Sequence, residues 1–100
     1  MQQVHRTIVM VARTHPDDFE RFADLEDRFV ELFARHGLVL RHRFRDAGAC
    51  SEVHVIDALG PDSVSDYFAD PQRVALQGEF ETLRIDQSVL DVDDIANPRT

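Results

Sequence analysis

The feature that most constrains the fold is a segment of helical period in which one side is almost entirely apolar. Pro16, acidic residues in the first turn and Gly37 after the last turn predict a helix of about 20 residues. Its apolar stripe comprises Phe19, Phe22, Leu25, Phe29, Val30, Leu32 and Phe33. Acidic and arginine residues spaced four apart occupy the opposite side, which identifies that side as solvated. A stripe this broad needs a flat apolar partner, so we expect the helix to cover a β-sheet.

Four further segments predict the strands of that sheet. Residues 4–14 are β-branched and apolar on both sides, which is typical of a strand covered on both faces. Residues 38–45 alternate, with Leu38, Leu40, His42 and Phe44 on one face and Val39, Arg41, Arg43 and Arg45 on the other. Residues 52–59 predict an antiparallel partner for that strand, and residues 82–95 predict the last strand.

A second helical segment separates the last two strands. The sequence GPDS at residues 60–63 supplies a proline and capping residues, and Asp70-Pro71 interrupts the helix before it ends near Phe80. The order β-α-β-β-α-β predicts an α+β, ferredoxin-like fold, in which a four-stranded antiparallel sheet carries both helices on one face. One hundred residues support one hydrophobic core, so we expect a single domain spanning residues 1–100.

The sheet face away from the helices needs a cover of its own. Because residues 4–12 are apolar on both sides, we expect a second copy of the chain to cover this face and form a homodimer. The arginines at 41, 43 and 45 form a positive stripe on the predicted strand. They either pair across the dimer with the acidic last strand or bind a carboxylate or phosphate ligand between the two sheets.

Charge and cysteine content exclude several classes of function. The formal net charge of −8 makes nucleic acid and anionic membranes unfavourable partners. All eleven basic residues are arginine, so the chain has no lysine for Schiff-base chemistry. A single cysteine, Cys50, cannot form an internal disulfide, and no apolar run approaches the length of a membrane span. We therefore expect a cytoplasmic protein.

The segment EVHVIDALGPDSVSDYFADPQRVAL, residues 52–76, resembles the strand, helix and "DP" stretch of small bacterial proteins related to antibiotic-biosynthesis-type monooxygenases. These belong to the dimeric α+β barrel superfamily. The resemblance implies that two ferredoxin-like protomers press their sheets together into a barrel, with a ligand cavity between sheet and helices in each protomer. Related branches include cofactor-free monooxygenases, lactone isomerases, cyclases and haem-binding enzymes, and no branch's catalytic residues map onto this chain.

Two polar residues interrupt the predicted apolar faces. Glu26 falls inside the helical stripe, where a carboxylate must either find a partner or have a raised pKa, the property that a general acid or base requires. His42 lies on the strand face predicted to meet the helices, so Glu26 and His42 form the candidate catalytic pair. The alternatives are that Glu26 reaches solvent or an arginine, and that His42 is a core histidine bonded to backbone.

The remaining candidates are ligand-binding residues. We include Tyr67, predicted to point inward from the second helix, together with Arg41, Arg43 and His54. No histidine spacing matches a metal motif, and we expect neither a metal nor a cofactor.

Three functions remain open on the sequence alone. The first is a cofactor-free oxygenase, isomerase or cyclase that acts on a small aromatic or polyketide-like compound in a cavity between sheet and helices. The second is a non-catalytic ligand-binding or accessory dimeric protein, and the third is a protein without a ligand. A cavity between helices and sheet that is lined by Glu26 and His42 would distinguish the first two functions from the third.

Overall fold

The computed structural model describes residues 5–48, 50–93 and 95. Its elements are β1 (Arg6–Thr14), α1 (Phe19–Phe33), β2 (Leu38–Arg45), β3 (Ser51–Ala58), α2 (Ser63–Ala69), α3 (Pro71–Phe80) and β4 (Ile85–Val92). Short 3-10 turns, Pro16–Asp18 and Ala34–His36, extend α1 at its two ends. The strands form one antiparallel sheet in the order β2-β3-β1-β4, with the helices packed on one face. The predicted ferredoxin-like fold is confirmed.

The helices begin and end where the sequence predicts. Gly37 follows α1 with φ of 68°, a left-handed conformation that glycine adopts without steric cost. The Asp70 carboxylate accepts a hydrogen bond from the Gln72 backbone N–H at 2.9 Å and so caps α3. The same buried carboxylate lies 2.8 Å from Nε2 of His36, at the end of α1. Asp70 therefore fixes the break between α2 and α3 against α1.

The predicted apolar stripe of α1 forms the core. Phe22 is fully buried against β1, where Ala12 is also fully buried, and Phe29 meets the ring of Phe80 in α3 edge-on at 5.5 Å between ring centroids. Burial of one phenylalanine side chain contributes roughly 1.5–3 kcal/mol, so this layer is a main source of stability. Glu26 lies inside the stripe and is 3% exposed, as the helical period predicts.

Strand β2 contains a bulge that the alternating sequence does not reveal. Leu40 lies opposite Ile56 of β3. His42 then lies opposite Val55, the immediate neighbour of Ile56, so Arg41 is one extra residue in β2. Because side chains alternate between the faces with a period of two, one extra residue inverts the facing of every later side chain in the strand.

The bulge makes two predictions about β2 wrong. His42 does not face the helices with Leu40; it is exposed on the opposite face, where its ring stacks on Phe44 with 5.4 Å between centroids. Arg43 and Arg45 do not share a face with Val39, since the inversion turns both guanidinium groups toward the helix side of the sheet. The proposed pairing of Glu26 with His42 therefore has no geometric basis.

The face of the sheet away from the helices carries many apolar side chains, and no described helix packs on it. The exposed side chains on this face include Val11, Val39, Phe44 and Leu90.

In the described part of the chain, none of the helices combines the length and hydropathy that a membrane crossing requires.

Candidate functional site

A cavity lies between the helices and the sheet, at the position of Glu26. Its polar side chains are Glu26 from α1, His54 from β3, Tyr67 from α2, Arg73 and Gln77 from α3, and Gln87 from β4. Aromatic and aliphatic side chains form the rest of the wall, among them Met10, Phe29 and Phe33. This combination of an apolar wall and a few converging polar groups is typical of a small-molecule site.

Glu26 meets His54 rather than His42. The His54 side chain is 1% exposed, and its Nδ1 lies 3.4 Å from Oε2 of Glu26. The sequence signal for this contact is the alternation of β3, which places His54 on the same face as the buried Ile56. The sequence predicts His54 as a ligand-binding residue but not its contact with Glu26, because the alternation of residues 38–45 places His42 in that position instead.

A second buried carboxylate, Glu52, lies on the other side of His54. Its Oε1 is 2.8 Å from Nε2 of His54 and also accepts a hydrogen bond from Nε of Arg43 at 2.8 Å. Its Oε2 accepts hydrogen bonds from Arg45, at 3.0 Å from Nε and 2.5 Å from Nη2. The bulge in β2 is the cause of this arrangement, because it turns both arginines toward Glu52.

The pKa values of the two carboxyl groups are shifted in opposite directions. Burial alone would raise the pKa of Glu52, but hydrogen bonds from His54, Arg43 and Arg45 lower that pKa to about 2. Burial first, and the negative charge of Glu52 second, raise the pKa of Glu26 to about 8, against a smaller lowering by Arg43. At neutral pH, Glu52 is therefore ionised and Glu26 holds a proton.

This charge pattern places the protonated carboxyl of Glu26 beside the imidazole ring of His54. If Nε2 of His54 donates to the ionised Glu52, Nδ1 carries a lone pair toward Glu26, at 3.4 Å from its Oε2. Because its pKa lies near 8, Glu26 can both accept and donate a proton at near-neutral pH, with this ring nitrogen beside it.

The same three residues have the composition of a metal site, since Glu26, Glu52 and His54 offer ligand atoms within 4.8 Å of one another. However, the two guanidinium groups already occupy the acceptor positions of Glu52 and place positive charge beside it. A divalent cation would have to displace them and overcome their repulsion. The donor set therefore does not fit a metal ion.

Tyr67 extends the polar side of the cavity. Its ring packs edge-on against Phe33, with 5.3 Å between centroids. Burial raises the pKa of Tyr67 to about 12, with the nearby Arg73 acting in the opposite direction. The hydroxyl is therefore protonated throughout the physiological range and can donate a hydrogen bond to a ligand.

The predicted arginines lie outside the cavity. Arg43 lies behind Glu52 and also binds Asp27 of α1 at 2.5 Å. Arg41, at the bulge, forms an ion pair with Asp57 on the opposite face of the sheet. Of the predicted site residues, the structure thus brings Glu26, His54 and Tyr67 together.

The cavity is small and open at one side. Its volume is about 100 Å³, which is somewhat less than that of an engineered apolar cavity of about 150 Å³ known to bind benzene. Arg73, Gln77 and Phe68 lie along the side formed by α2 and α3, and Gln87 and the exposed Val89 lie on the facing strand β4. The cavity can therefore hold one small ring, while the rest of a larger ligand stays in the opening.

No protein-family model matches this chain, and no curated protein matches it in sequence. Solved structures do match it. A protein from Bacteroides thetaiotaomicron described as a candidate antibiotic biosynthesis monooxygenase superposes with a TM-score of 0.80 at 9% identity, covering 94% of this chain and 91% of its own. SnoaB, described as a cofactor-independent oxygenase from Streptomyces nogalater, gives 0.68 at 20% identity, covering 90% and 94%. A protein from Mycobacterium tuberculosis gives 0.74 at 13% identity, covering 94% and 100%.

These likenesses span nearly the whole of each chain. At identities this low they establish the shared ferredoxin-like fold. The resemblance to antibiotic-biosynthesis-type monooxygenases that the sequence predicts is therefore confirmed at the level of the fold.

Proposed function

We propose that this protein is a cofactor-independent enzyme that removes a proton from a small aromatic or polyketide-like compound bound in the cavity. Glu26 and His54 are the acid/base pair, and Tyr67 binds the oxygen atom on which charge develops. The observation that carries the proposal is the contact of Glu26 with His54 inside a mostly apolar cavity. The description of SnoaB as a cofactor-independent oxygenase supports it by analogy of fold.

The proposed step is the transfer of one proton. The Glu26 carboxylate forms an O–H bond with a hydrogen from a carbon next to a carbonyl group, and the C–H bond breaks. Its electron pair stays on the substrate as an enolate, whose oxygen accepts a hydrogen bond from Tyr67. The enolate is the common first intermediate of three reactions: it reacts with dioxygen in an oxygenase, is reprotonated at another carbon in an isomerase, or attacks a carbonyl in a cyclase.

Hydrogen–deuterium exchange of β-tetralone in D2O, followed by NMR, tests this step directly. The wild-type protein is expected to accelerate exchange of the benzylic C–H next to the carbonyl, and the rate is expected to rise with pH through about 8, as Glu26 loses its proton. Glu26→Gln and His54→Gln are each expected to lower the rate by about 10²- to 10⁴-fold.

Glu31→Gln is the matched control, because Glu31 lies on the same helix and is exposed. Exchange that is equally fast in wild type and Glu26→Gln would contradict the proposal. Binding of β-tetralone without accelerated exchange would instead identify a non-catalytic ligand-binding protein. Oxygen consumption in the same solutions distinguishes an oxygenase from an isomerase or cyclase.

We also propose that two copies of the chain pair through the sheet face that the helices leave open. The exposed apolar side chains of this face support the proposal, since a surface of this kind is a favoured protein–protein contact. The resemblance to the dimeric α+β barrel superfamily also supports it, because that resemblance implies two protomers that associate through this sheet face.

Leu90→Glu is expected to convert the dimer to a monomer, because it places a charge on the apolar face, at strand β4. Val74→Glu is the control: Val74 has nearly the same exposed fraction, 54% against 53%, and lies on α3. Light scattering at micromolar concentration measures the result. A wild-type monomer, or a dimer that Leu90→Glu leaves intact, would contradict the proposed interface.

A further inference from the structure

Arg73 differs from the other half-buried arginine of the described chain in having no carboxylate partner. Arg43 is held between Glu52 and Asp27. Arg73 donates from Nη2 to the side-chain oxygen of Gln77 at 3.0 Å, and in the described residues no carboxylate forms an ion pair with it. Its Nε is buried and has no hydrogen-bond partner among the described residues. A donor in this position is costly unless something else accepts its hydrogen bond.

Aromatic rings hold the Arg73 guanidinium in place at the side of the cavity. Its central carbon lies 4.4 Å from the ring centroid of Phe68, 5.7 Å from that of Tyr67 and 5.9 Å from that of Phe29. Stacking on aromatic rings leaves the edge of a guanidinium free to bind a planar anion. The aromatic rings therefore order the Arg73 side chain without neutralising its positive charge.

Tyr67 connects this cation with the acid/base pair. Burial is the largest influence on the pKa of Tyr67 and raises it; Arg73 lowers this pKa by its charge and by a side-chain hydrogen bond to Tyr67, and the charge of Glu26 raises it. The phenol hydroxyl is therefore within electrostatic reach of both groups. One wall of the cavity thus carries an acidic end at Glu26, a neutral donor at Tyr67 and a cationic end at Arg73.

We propose that Arg73, supported by Gln77, is an oxyanion subsite, and that the compound bound in the cavity is a small aromatic carboxylate. This inference rests on the proposed function insofar as both place the ligand in the same cavity. The ring occupies the apolar wall, and the carboxylate accepts parallel hydrogen bonds from Nε and a terminal nitrogen of Arg73, the arrangement that guanidinium groups favour. The carboxylate thereby fixes which edge of the ring faces Glu26.

The net charge of the chain gives this subsite a second role. A protein with a formal charge of −8 repels anions at long range. An unneutralised cation at the cavity is the local attraction that an anionic ligand needs to enter. Arg73 would not attract a neutral ligand of equal size in this way.

Benzoate and benzamide are the probes, since they have nearly the same size and differ in charge. NMR titration follows the ring signals of Tyr67, which is the only tyrosine in the sequence. In wild type, benzoate is expected to bind at least about tenfold more tightly than benzamide, as a charge-assisted hydrogen-bond pair implies. Arg73→Gln is expected to abolish this preference by weakening benzoate about tenfold, with benzamide unchanged.

Two further variants complete the test. Arg73→Lys keeps the charge and loses the planar fork, so it is expected to retain part of the preference. Arg21→Gln removes an exposed arginine of α1 and is expected to change neither affinity. Equal binding of the two probes in wild type, no binding of either, or an undiminished preference in Arg73→Gln would overturn the inference.

The outcome is separable from that of the proposed function. If wild-type protein accelerates β-tetralone exchange but binds benzoate no more tightly than benzamide, only the oxyanion subsite is overturned. A benzoate preference that persists while Glu26→Gln leaves β-tetralone exchange unchanged would overturn only the proposed catalysis. Glu26→Gln is expected to slow exchange by about 10²- to 10⁴-fold and to retain the preference for benzoate.

Discussion

Between pH 5 and pH 9, wild-type protein is expected to lose about 3 to 5 kcal/mol more free energy of unfolding than the Glu26→Gln variant. The reason is the pKa of Glu26, which burial first and the charge of Glu52 second raise to about 8 from its ordinary value of 4.5. Each pH unit over which only the folded state holds this proton changes stability by about 1.4 kcal/mol.

The sign of the effect follows from proton uptake on folding. Below about pH 4.5 both the folded and the unfolded state hold the Glu26 proton, so it makes no difference to stability. Between the two pKa values only the folded state holds it, and stability falls as pH rises. Above about pH 8 both states are ionised and the contribution levels off. The glutamine variant lacks this group and its pH dependence.

Urea unfolding at several pH values measures the difference between the two proteins, at one protein concentration because a dimer unfolds in a concentration-dependent way. Groups that titrate in both proteins cancel in this comparison. Glu31→Gln, on the exposed side of α1, is expected to follow the wild-type profile. Parallel profiles for wild type and Glu26→Gln would contradict a raised pKa at Glu26.

The Glu52→Gln variant is expected to lose about 3 kcal/mol of stability at pH 7. The side chain of Glu52 is completely buried and accepts hydrogen bonds from Arg43, Arg45 and His54. Removal of its charge leaves the two arginines without their common buried partner, which is strongly destabilising even though both arginines retain partial exposure. The pKa of Glu26 is also expected to fall, because repulsion from Glu52 is one of the causes that raise it.

Asp27→Asn is the control for this variant. Asp27 binds the same Arg43 but is 62% exposed, so its loss is expected to cost less than about 1 kcal/mol. Urea unfolding of both variants at pH 7 compares the two effects. Equal destabilisation by Glu52→Gln and Asp27→Asn would show that the buried network contributes no more than a surface ion pair.

The sequence predicts Glu26 well and its partner poorly, for different physical reasons. An α-helix has a fixed period, so the position of Glu26 between Phe22 and Phe29 is enough to place it on the buried side. A strand can accept an extra residue, and the perfect alternation of residues 38–45 gives no sign of the bulge at Arg41. His42 was assigned to the wrong face for this reason.

The bulge also explains why the positions of Arg43 and Arg45 differ from the prediction. On the unbroken alternation, Arg43 and Arg45 are expected to face a partner subunit or a ligand between sheets. In the structure they bind Glu52 within the same chain. Glu52 and His54 could have been found from the alternation of β3, because both share a face with Ile56. A contact between residues of two strands depends on their register, and the sequence of either strand alone does not determine that register.

Glu26 is expected to hold a titratable proton beside His54 inside the cavity, and a carbon-13 NMR titration of the glutamate side-chain carboxyls between pH 4 and pH 10 measures this proton directly. One glutamate carboxyl is expected to titrate near pH 8, and this resonance is expected to be absent from the Glu26→Gln variant. A Glu26 carboxyl that titrates near pH 4.5, as an exposed glutamate does, would contradict a protonated Glu26 in the folded protein at neutral pH.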